Sequence, residues 1–433
     1  MAKLSLLQAE RPAIGTAIDA ETFIRSVLFA AIFLLLWFSF HPFRSLAEPP
    51  EIADEGDRLN QIGFSAVFVV LAGWSLIHQP DRLRLLLRPT LIVTLLWCTL
   101  CVVTSWEPSL SARRFAFTLV TVGIGGMVLL LPKNLRHFSD LMAAVALIVL
   151  AACYLGVFLA PELAIHQPTD FMEPELAGDW RGAFIHKNTA GATMVLFVFI
   201  GLFVARMRSV GLGALIAALA STFLIFTQSK TAFAMLPLAL MLSALIARVR
   251  SPAIGIVLAL LVVVSFNVFS VGSIYFEPAR NLVDLILPDP TFTGRTDVWR
   301  FALDHVAQRP MTGYGFSAFW GSEQVVYGMG GGSLWANTAG HAHNSYLNLA
   351  LTIGIPGAVL VSLWLVVLPL VDYYRSPREH STAPLKLLFL RVCLFAAYEA
   401  CFENTFFGTD GFWLFLLTAT FGLRFLTVSR ATV

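Results

Sequence analysis

Residues Gly340–Leu368 read GHAHNSYLNLALTIGIPGAVLVSLWLVVL. The stretch opens on two histidines and an asparagine and turns within a few residues into an apolar run. A run of about 20 apolar residues crosses the hydrocarbon of a bilayer as a helix. The same texture recurs along the whole chain. Of its 433 residues 57% are hydrophobic and only 13% charged, where soluble domains carry about 25% charge. In lipid every backbone N–H and C=O has to be satisfied inside the protein, which leaves helices or a closed barrel. The apolar runs are continuous rather than alternating, and that selects helices. The sequence therefore predicts an all-α integral membrane protein forming a single polytopic membrane domain over 1–433.

Twelve spans are expected, at about 24–40, 62–78, 89–105, 115–131, 139–160, 188–205, 211–227, 231–248, 253–272, 345–371, 386–402 and 411–428. One set of connectors is short and basic: Arg82, Arg84 and Arg88; Lys133 and Arg136; Arg206 and Arg208; Arg248 and Arg250; Arg375, Arg378 and Lys386. The positive-inside rule makes these cytoplasmic, and an even span count places both basic termini on the same side. The run after Arg25 lacks a small-residue cleavage site and is read as a span, not a removable signal. Cys98, Cys101, Cys153, Cys393 and Cys401 all fall in apolar runs, so the C-x-x-C spacing of the first two is read as packing.

The other connectors face outward. They comprise the acidic loop Glu48–Arg58, the loop Pro161–Lys187 and a long loop over 273–344. Within the last, Thr293–Pro310 (TGRTDVWRFALDHVAQRP) places Trp299, Ala302, Leu303 and Val306 at helical spacing. This predicts an amphipathic helix near 295–309 lying on the membrane face. The GYGF and GMGGGS segments that follow are turn chemistry. Cations that should be rare on this side nonetheless stand against span ends: Arg113 and Arg114, Arg181, His186 and Lys187, Lys230, Arg295 and Arg300, His341 and His343. Together they suit a phosphate or pyrophosphate at headgroup depth. Each can equally snorkel or pair with a carboxylate such as Asp179, Asp297 or Asp304, and Arg300 with Asp304 has the i,i+4 spacing of a structural pair. Glu399 and Glu403 are costly so near a span and are expected to pair with the cluster, a base role being the other reading.

His343 can accept a proton from a hydroxyl or donate to a phosphate, and Asn344 can orient it or hold a sugar. A helix-capping role fits the residue types as well. His341 and His343 are two apart and point opposite ways if the segment is extended, which disfavours a zinc pair. No D-x-D and no other convincing cluster for a metal is present, so no cofactor is expected.

The stretch HNSYLNLALTIGIPG resembles the signature of the O-antigen ligase and Wzy-type polysaccharide polymerase superfamily: a His, then Asn, nine residues and a Gly, here His343, Asn344 and Gly354, with Gly357 following. GRTDVWRFALDHVAQRPMTGYGF resembles its outer-loop motif, through Gly294, Arg295, Trp299, Pro310, Gly313 and Gly315. RGAFIHKNTAG is similar to an element of the exopolysaccharide polymerase branch, carried by Arg181, Gly182, Phe184, His186, Lys187 and Asn188. TQSKTA resembles another, with Lys230 where Arg is usual, a change that keeps the charge and loses the planar fork.

The resemblance implies a GT-C-like membrane glycosyltransferase in the bacterial inner membrane with its site on the periplasmic face. It would join oligosaccharide repeat units linked to undecaprenyl pyrophosphate into exopolysaccharide, by metal-independent displacement at the anomeric carbon with inversion. His343 and Arg295 are the catalytic candidates. Arg181, His186, Lys187, Lys230 and Asn344 are the candidates for pyrophosphate and sugar. Lipid-linked donor and acceptor, the bilayer, a chain-length regulator and an export complex are the implied partners, and nucleic acid is not among them. The alternatives are an O-antigen ligase acting on lipid A core and, from another class, a flippase for lipid-linked sugars. A flippase would place polar residues at mid-membrane depth rather than at one edge.

Overall fold

Helices occupy all twelve of the expected apolar stretches. The computed structural model describes residues 19–47, 58–322, 325 and 339–428. Most of the acidic loop Glu48–Arg58, the GMGGGS segment and both basic tails lie outside the described residues. The helices are α1 Ala20–Phe38, α2 Arg58–His78, α3 Pro89–Val103, α4 Pro108–Met127, α5 Leu135–Leu159, α6 Lys187–Met207 and α7 Val210–Thr227. They continue as α8 Lys230–Arg248, α9 Pro252–Phe269, α10 Glu277–Ile286, α11 Arg295–Gln308, α12 Ser345–Arg375, α13 Ala383–Glu399 and α14 Gly411–Val428. Among the described residues ten helices are long and apolar enough to span a bilayer. The other two expected spans, α3 and α13, are shorter, at 15 and 17 residues. All five cysteines are free and buried.

A helix that is apolar all round either sits inside a bundle or faces lipid. Both kinds occur. In α14 83% of the best apolar window is buried and in α6 78%, against 17% in α2. α6, α13 and α14 thus form the middle, and α2 and α9 the rim, where Ile77 and Leu261 stay exposed. Polar caps start the helices as their sequences require: Asp19, Asn134 and Ser209 each accept a hydrogen bond from the first turn of the helix that follows.

Alternate connectors meet at opposite ends of the bundle. At one end the basic connectors are tied down, with Lys133 on Asp19 and Arg88 on Asp372. The other end, called here the connector end, gathers the segments after α1, α3, α5, α7, α9 and α13. Arg181 reaches Arg44 O, Trp106 N–H reaches Tyr314 O, and Asn188 reaches Glu403.

The centre of this end is a broken helix. α12 carries Gly354 at φ 73° and ψ 170°, two residues before Pro356. The break removes two helical donors, since Ile355 is turned away and Pro356 has no N–H, so Leu351 O and Thr352 O lose their ordinary partners. The GYGF segment replaces them. Tyr314 N–H donates to Leu351 O at 3.0 Å and Gly315 N–H to Thr352 O at 2.9 Å, while Ile355 N–H turns to Pro310 O at 2.8 Å. Trp97 Nε1 takes the carbonyl of Ile353 at 2.9 Å. A Cβ on Gly354 would stand 1.9 Å from Met311 O, so only glycine fits there.

The helix expected near 295–309 is α11, but it does not lie with its apolar stripe on the membrane. Val298, Trp299 and Ala302 are buried in a second small core with Tyr314, Phe319, Trp320 and Leu351. The helix that does expose apolar side chains is α10, through Leu282, Leu285 and Ile286. The expected pair of Arg300 with Asp304 is also replaced. Arg300 stands 3.8 Å from Asp297, and Asp304 accepts the Tyr275 hydroxyl at 2.6 Å.

Candidate active site at the connector end

The start of α12 is built by its cap. Asn344 accepts the Leu347 N–H at 2.9 Å and donates to Cys401 O and to Asn267 Oδ1. It is fully buried. Its amide is therefore used by the protein itself rather than presented to a sugar, and Asn344, not His343, caps the helix. Ser345 ties the same turn to the segment after α13, donating to Glu403 O and accepting from Thr405 N–H. Trp299 of α11 donates to Ala342 O at 2.9 Å. Between these anchors His343 is held at φ 46°, the left-handed region that a non-glycine residue adopts at a cost. The segment is consequently not extended. The rings of His341 and His343 do not point apart but meet edge to face, 4.2 Å between centroids.

Glu403 is the shared carboxylate of this region. Oε1 accepts from Arg295 at 2.8 Å and from Asn188 Nδ2 at 2.9 Å. Oε2 faces His343 Nδ1 at 3.6 Å, close enough for a charge pair and too long for a hydrogen bond. Burial pushes the Glu403 carboxyl up, but Arg295 and the facing histidines outweigh it and hold the group well below the usual carboxylate range. Arg295 also donates to Phe402 O. Asn188 passes the network on, accepting from Ser229 Oγ at 3.1 Å. Glu399, one turn earlier, is buried, and neither of its carboxyl oxygens has a hydrogen-bond partner among the described residues.

Hydrogen bonds fix which imidazole nitrogen is free. His341 Nδ1 accepts the His343 N–H at 3.2 Å, so the neutral ring carries its proton on Nε2. Burial, with His343 next, pushes His341 down to about 3, and it is neutral at ordinary pH. His343 presents Nδ1 to Glu403 and keeps Nε2 for the space beyond, its side chain 24% exposed.

The first turn of α6 is organised differently. His186 caps it through Nδ1 and meets Glu173 with Nε2 at 3.0 Å. Lys187 pairs with Asp179 at 2.6 Å. Its N–H donates to His166 Nε2, and His166 Nδ1 meets Asp170 at 2.8 Å. Arg181 is fully buried and donates to Phe184 O at 3.0 Å and Arg44 O at 2.9 Å, which spends its fork on backbone. Lys230, the first residue of α8, is exposed, and among the described residues it forms no ion pair; it stands next to Ser229.

The end of the bundle thus collects His186, Lys187, Lys230, Arg295 and His343 around one network, while Arg181 and Asn344 serve its frame. Sequence reasoning gave Glu403 a partner but not its place at the centre, and it did not single out Asn188 as the bridge. The costly position of Glu403 after a span and the polar type of Asn188 were the signals on offer.

Residues 215–362 match the family model described as O-antigen ligase. The match spans α7 to the broken α12 and includes Lys230, Arg295, His343 and Gly354, so the chain carries a domain of the O-antigen ligase and Wzy superfamily. No curated protein matches the chain.

Proposed function

We propose that this multi-pass membrane protein is a glycosyltransferase that polymerises oligosaccharide repeat units carried on undecaprenyl pyrophosphate into exopolysaccharide. Its connector end faces the outer side of the bacterial inner membrane, with all twelve helices crossing and both termini inside. The observation that carries the reading is His343 beside a carboxylate that Arg295 and Asn188 hold in place. A carboxylate facing Nδ1 favours the tautomer with its proton there and leaves Nε2 basic.

In the proposed reaction the acceptor hydroxyl loses its proton to His343 Nε2 while its oxygen bonds to the anomeric carbon of the donor. The bond from that carbon to the lipid pyrophosphate breaks, and its electron pair leaves with the pyrophosphate, so the configuration inverts. Negative charge grows on the leaving group, and fixed cations stabilise the transition state more than the ground state. Lys230 acts electrostatically on Asp289 but holds no close ion pair among the described residues, so it can turn to the leaving group. Lys187 and His186 would first exchange Asp179 and Glu173 for phosphate oxygens, and Arg295 acts mainly by positioning Glu403. Arg181 holds the loop before α6.

The test uses cells that depend on this protein for surface polysaccharide. His343→Ala at normal membrane level is expected to leave single repeat units on the outer leaflet and no polymer on a gel. Normal polymer would remove His343 from the reaction. Repeat units held on the inner leaflet would instead identify a flippase, and full-length polymer that fails to reach lipid A core would identify the ligase.

A further inference from the structure

At the basic end of the bundle, opposite the connector end, a cavity of about 300 Å³ opens between the ends of α6, α8 and α12 and the start of α13. Small-molecule sites begin at roughly this size, about 300–1,000 Å³. Arg206 lines it from the last turn of α6 and Tyr373 from the last turn of α12. Arg378 comes from the connector after α12, and Lys386 from the start of α13. Glu379 and His380 also line it, both exposed.

Positive charge at this end follows from topology alone. A pocket built around a buried ammonium does not. Four other cations of this end meet carboxylates: Arg25 meets Glu21, Arg88 meets Asp372, Lys133 meets Asp19 and Arg208 meets Asp140. Around the cavity like charges gather instead. Arg378 is near enough to Lys386 to repel it, and Arg206 does the same to Arg391. Lys386 is the buried member, 7% exposed. Its Nζ donates to Ser376 O at 3.2 Å and to Pro377 O at 3.1 Å, and it lies over the Tyr373 ring, 5.0 Å from the centroid. An ammonium has three N–H donors, so one remains. The start of a helix is also the end whose dipole favours an anion over a cation. Three cations against the single carboxylate of Glu379 leave a surplus of positive charge in the lining, which a phosphate group would offset.

We infer that this cavity binds a phosphate-bearing ligand, either the headgroup of an anionic phospholipid or a soluble phosphate compound. The forks of Arg206 and Arg378 and the remaining Lys386 N–H would take the phosphate oxygens. Basic pockets between helix ends are suited to anionic headgroups. Met241 and Leu245, in the turns of α8 before the cavity, are exposed and would lie along an acyl chain. The ligand would join the ends of four helices and so stabilise the folded chain by mass action. The assignment is independent of the chemistry proposed for the connector end.

The test uses the full chain. Native mass spectrometry from detergent measures retention of added phosphatidylglycerol against phosphatidylcholine. Thermal unfolding in phosphatidylcholine nanodiscs is followed as inorganic pyrophosphate is added. Three chains are compared: the unaltered one, Arg206→Gln combined with Arg378→Gln, and Arg208→Gln, which removes a paired cation of the same end. Both arginines of the double variant are exposed, so its unfolding temperature without ligand should match the unaltered chain. Should it unfold early, Arg378→Gln alone carries the same comparison. Preferential retention of phosphatidylglycerol that falls fivefold or more in the double variant, and not in Arg208→Gln, assigns a lipid headgroup. A saturable upward shift with pyrophosphate that is lost in the double variant, with no lipid preference, assigns a soluble phosphate. The same retention and the same shift in all three chains overturns the inference. Equal losses in Arg208→Gln and the double variant overturn it too, because charge at this end then acts without a pocket.

Discussion

The first turn of α6 and the start of α12 look alike in sequence, each a histidine and an asparagine where an apolar helix begins. They are wired in different ways. At α6 each cation has its own carboxylate, Glu173 for His186 and Asp179 for Lys187, and both carboxylates come from the loop just before the helix. At α12 the carboxylate comes from beyond α13, and Arg295, Asn188 and His343 share it. A local pair neutralises a charge. A shared carboxylate drawn from a distant segment fixes geometry, and it leaves the weakest-held member, His343, available for chemistry. A cationic motif at a span end is therefore not enough to mark a catalytic group; the sharing of its partner is the better sign.

The largest expected effect tests the α12 side. His343→Ala should lower transfer by about 100- to 10,000-fold, the range for loss of a general base, with protein level unchanged on an immunoblot. Glu403→Gln should follow, with a loss of about 10- to 100-fold as for an orienting partner, read as kcat in nanodiscs. It also leaves Arg295 without its carboxylate, and thermal unfolding should shift down. Equal losses at Glu403 and Asp179 would erase the contrast between the two regions.

Acidity separates the regions more gently. His341 and His166 are both pushed below their ordinary 6.5, chiefly by burial. A group with a depressed folded pKa lets the unfolded chain bind more protons, so stability falls as pH drops below about 6.5, and for His341 the loss continues toward about 3. Thermal unfolding should therefore fall from pH 7 to pH 5, and His341→Gln should flatten part of that slope. A slope unchanged in His341→Gln would place the titration elsewhere. The smallest effect is expected at Lys187→Ala. Lys187 is already held by Asp179, which cancels part of its pull on a phosphate, so transfer should fall by less than about tenfold. A larger fall in kcat would bring Lys187 into direct contact with the leaving group.

The helices were legible because each span is written continuously in apolar residues, and lipid forces such a run to be a helix. The break in α12 was legible only as a glycine and a proline. That its stranded carbonyls are met by the GYGF segment depends on a contact some 40 residues away in sequence, which no local pattern carries. α11 illustrates the same limit. Its apolar stripe reads equally as a lipid face or a protein face, and the choice falls to Phe319 and Trp320, which close over it. In the site, residue types pointed to His343 and Arg295, while the pairing of Arg181 with backbone and the left-handed turn at His343 follow from packing alone.

The central claim is that His343 and Glu403 act as one unit. A double-mutant cycle tests it most directly, measuring transfer by the unaltered chain, His343→Ala, Glu403→Gln and the double variant in nanodiscs. If Glu403 works by orienting His343, its replacement has little left to remove once His343 is gone, and the double variant should match His343→Ala within about threefold. Losses that multiply would show two independent contributions and contradict the account.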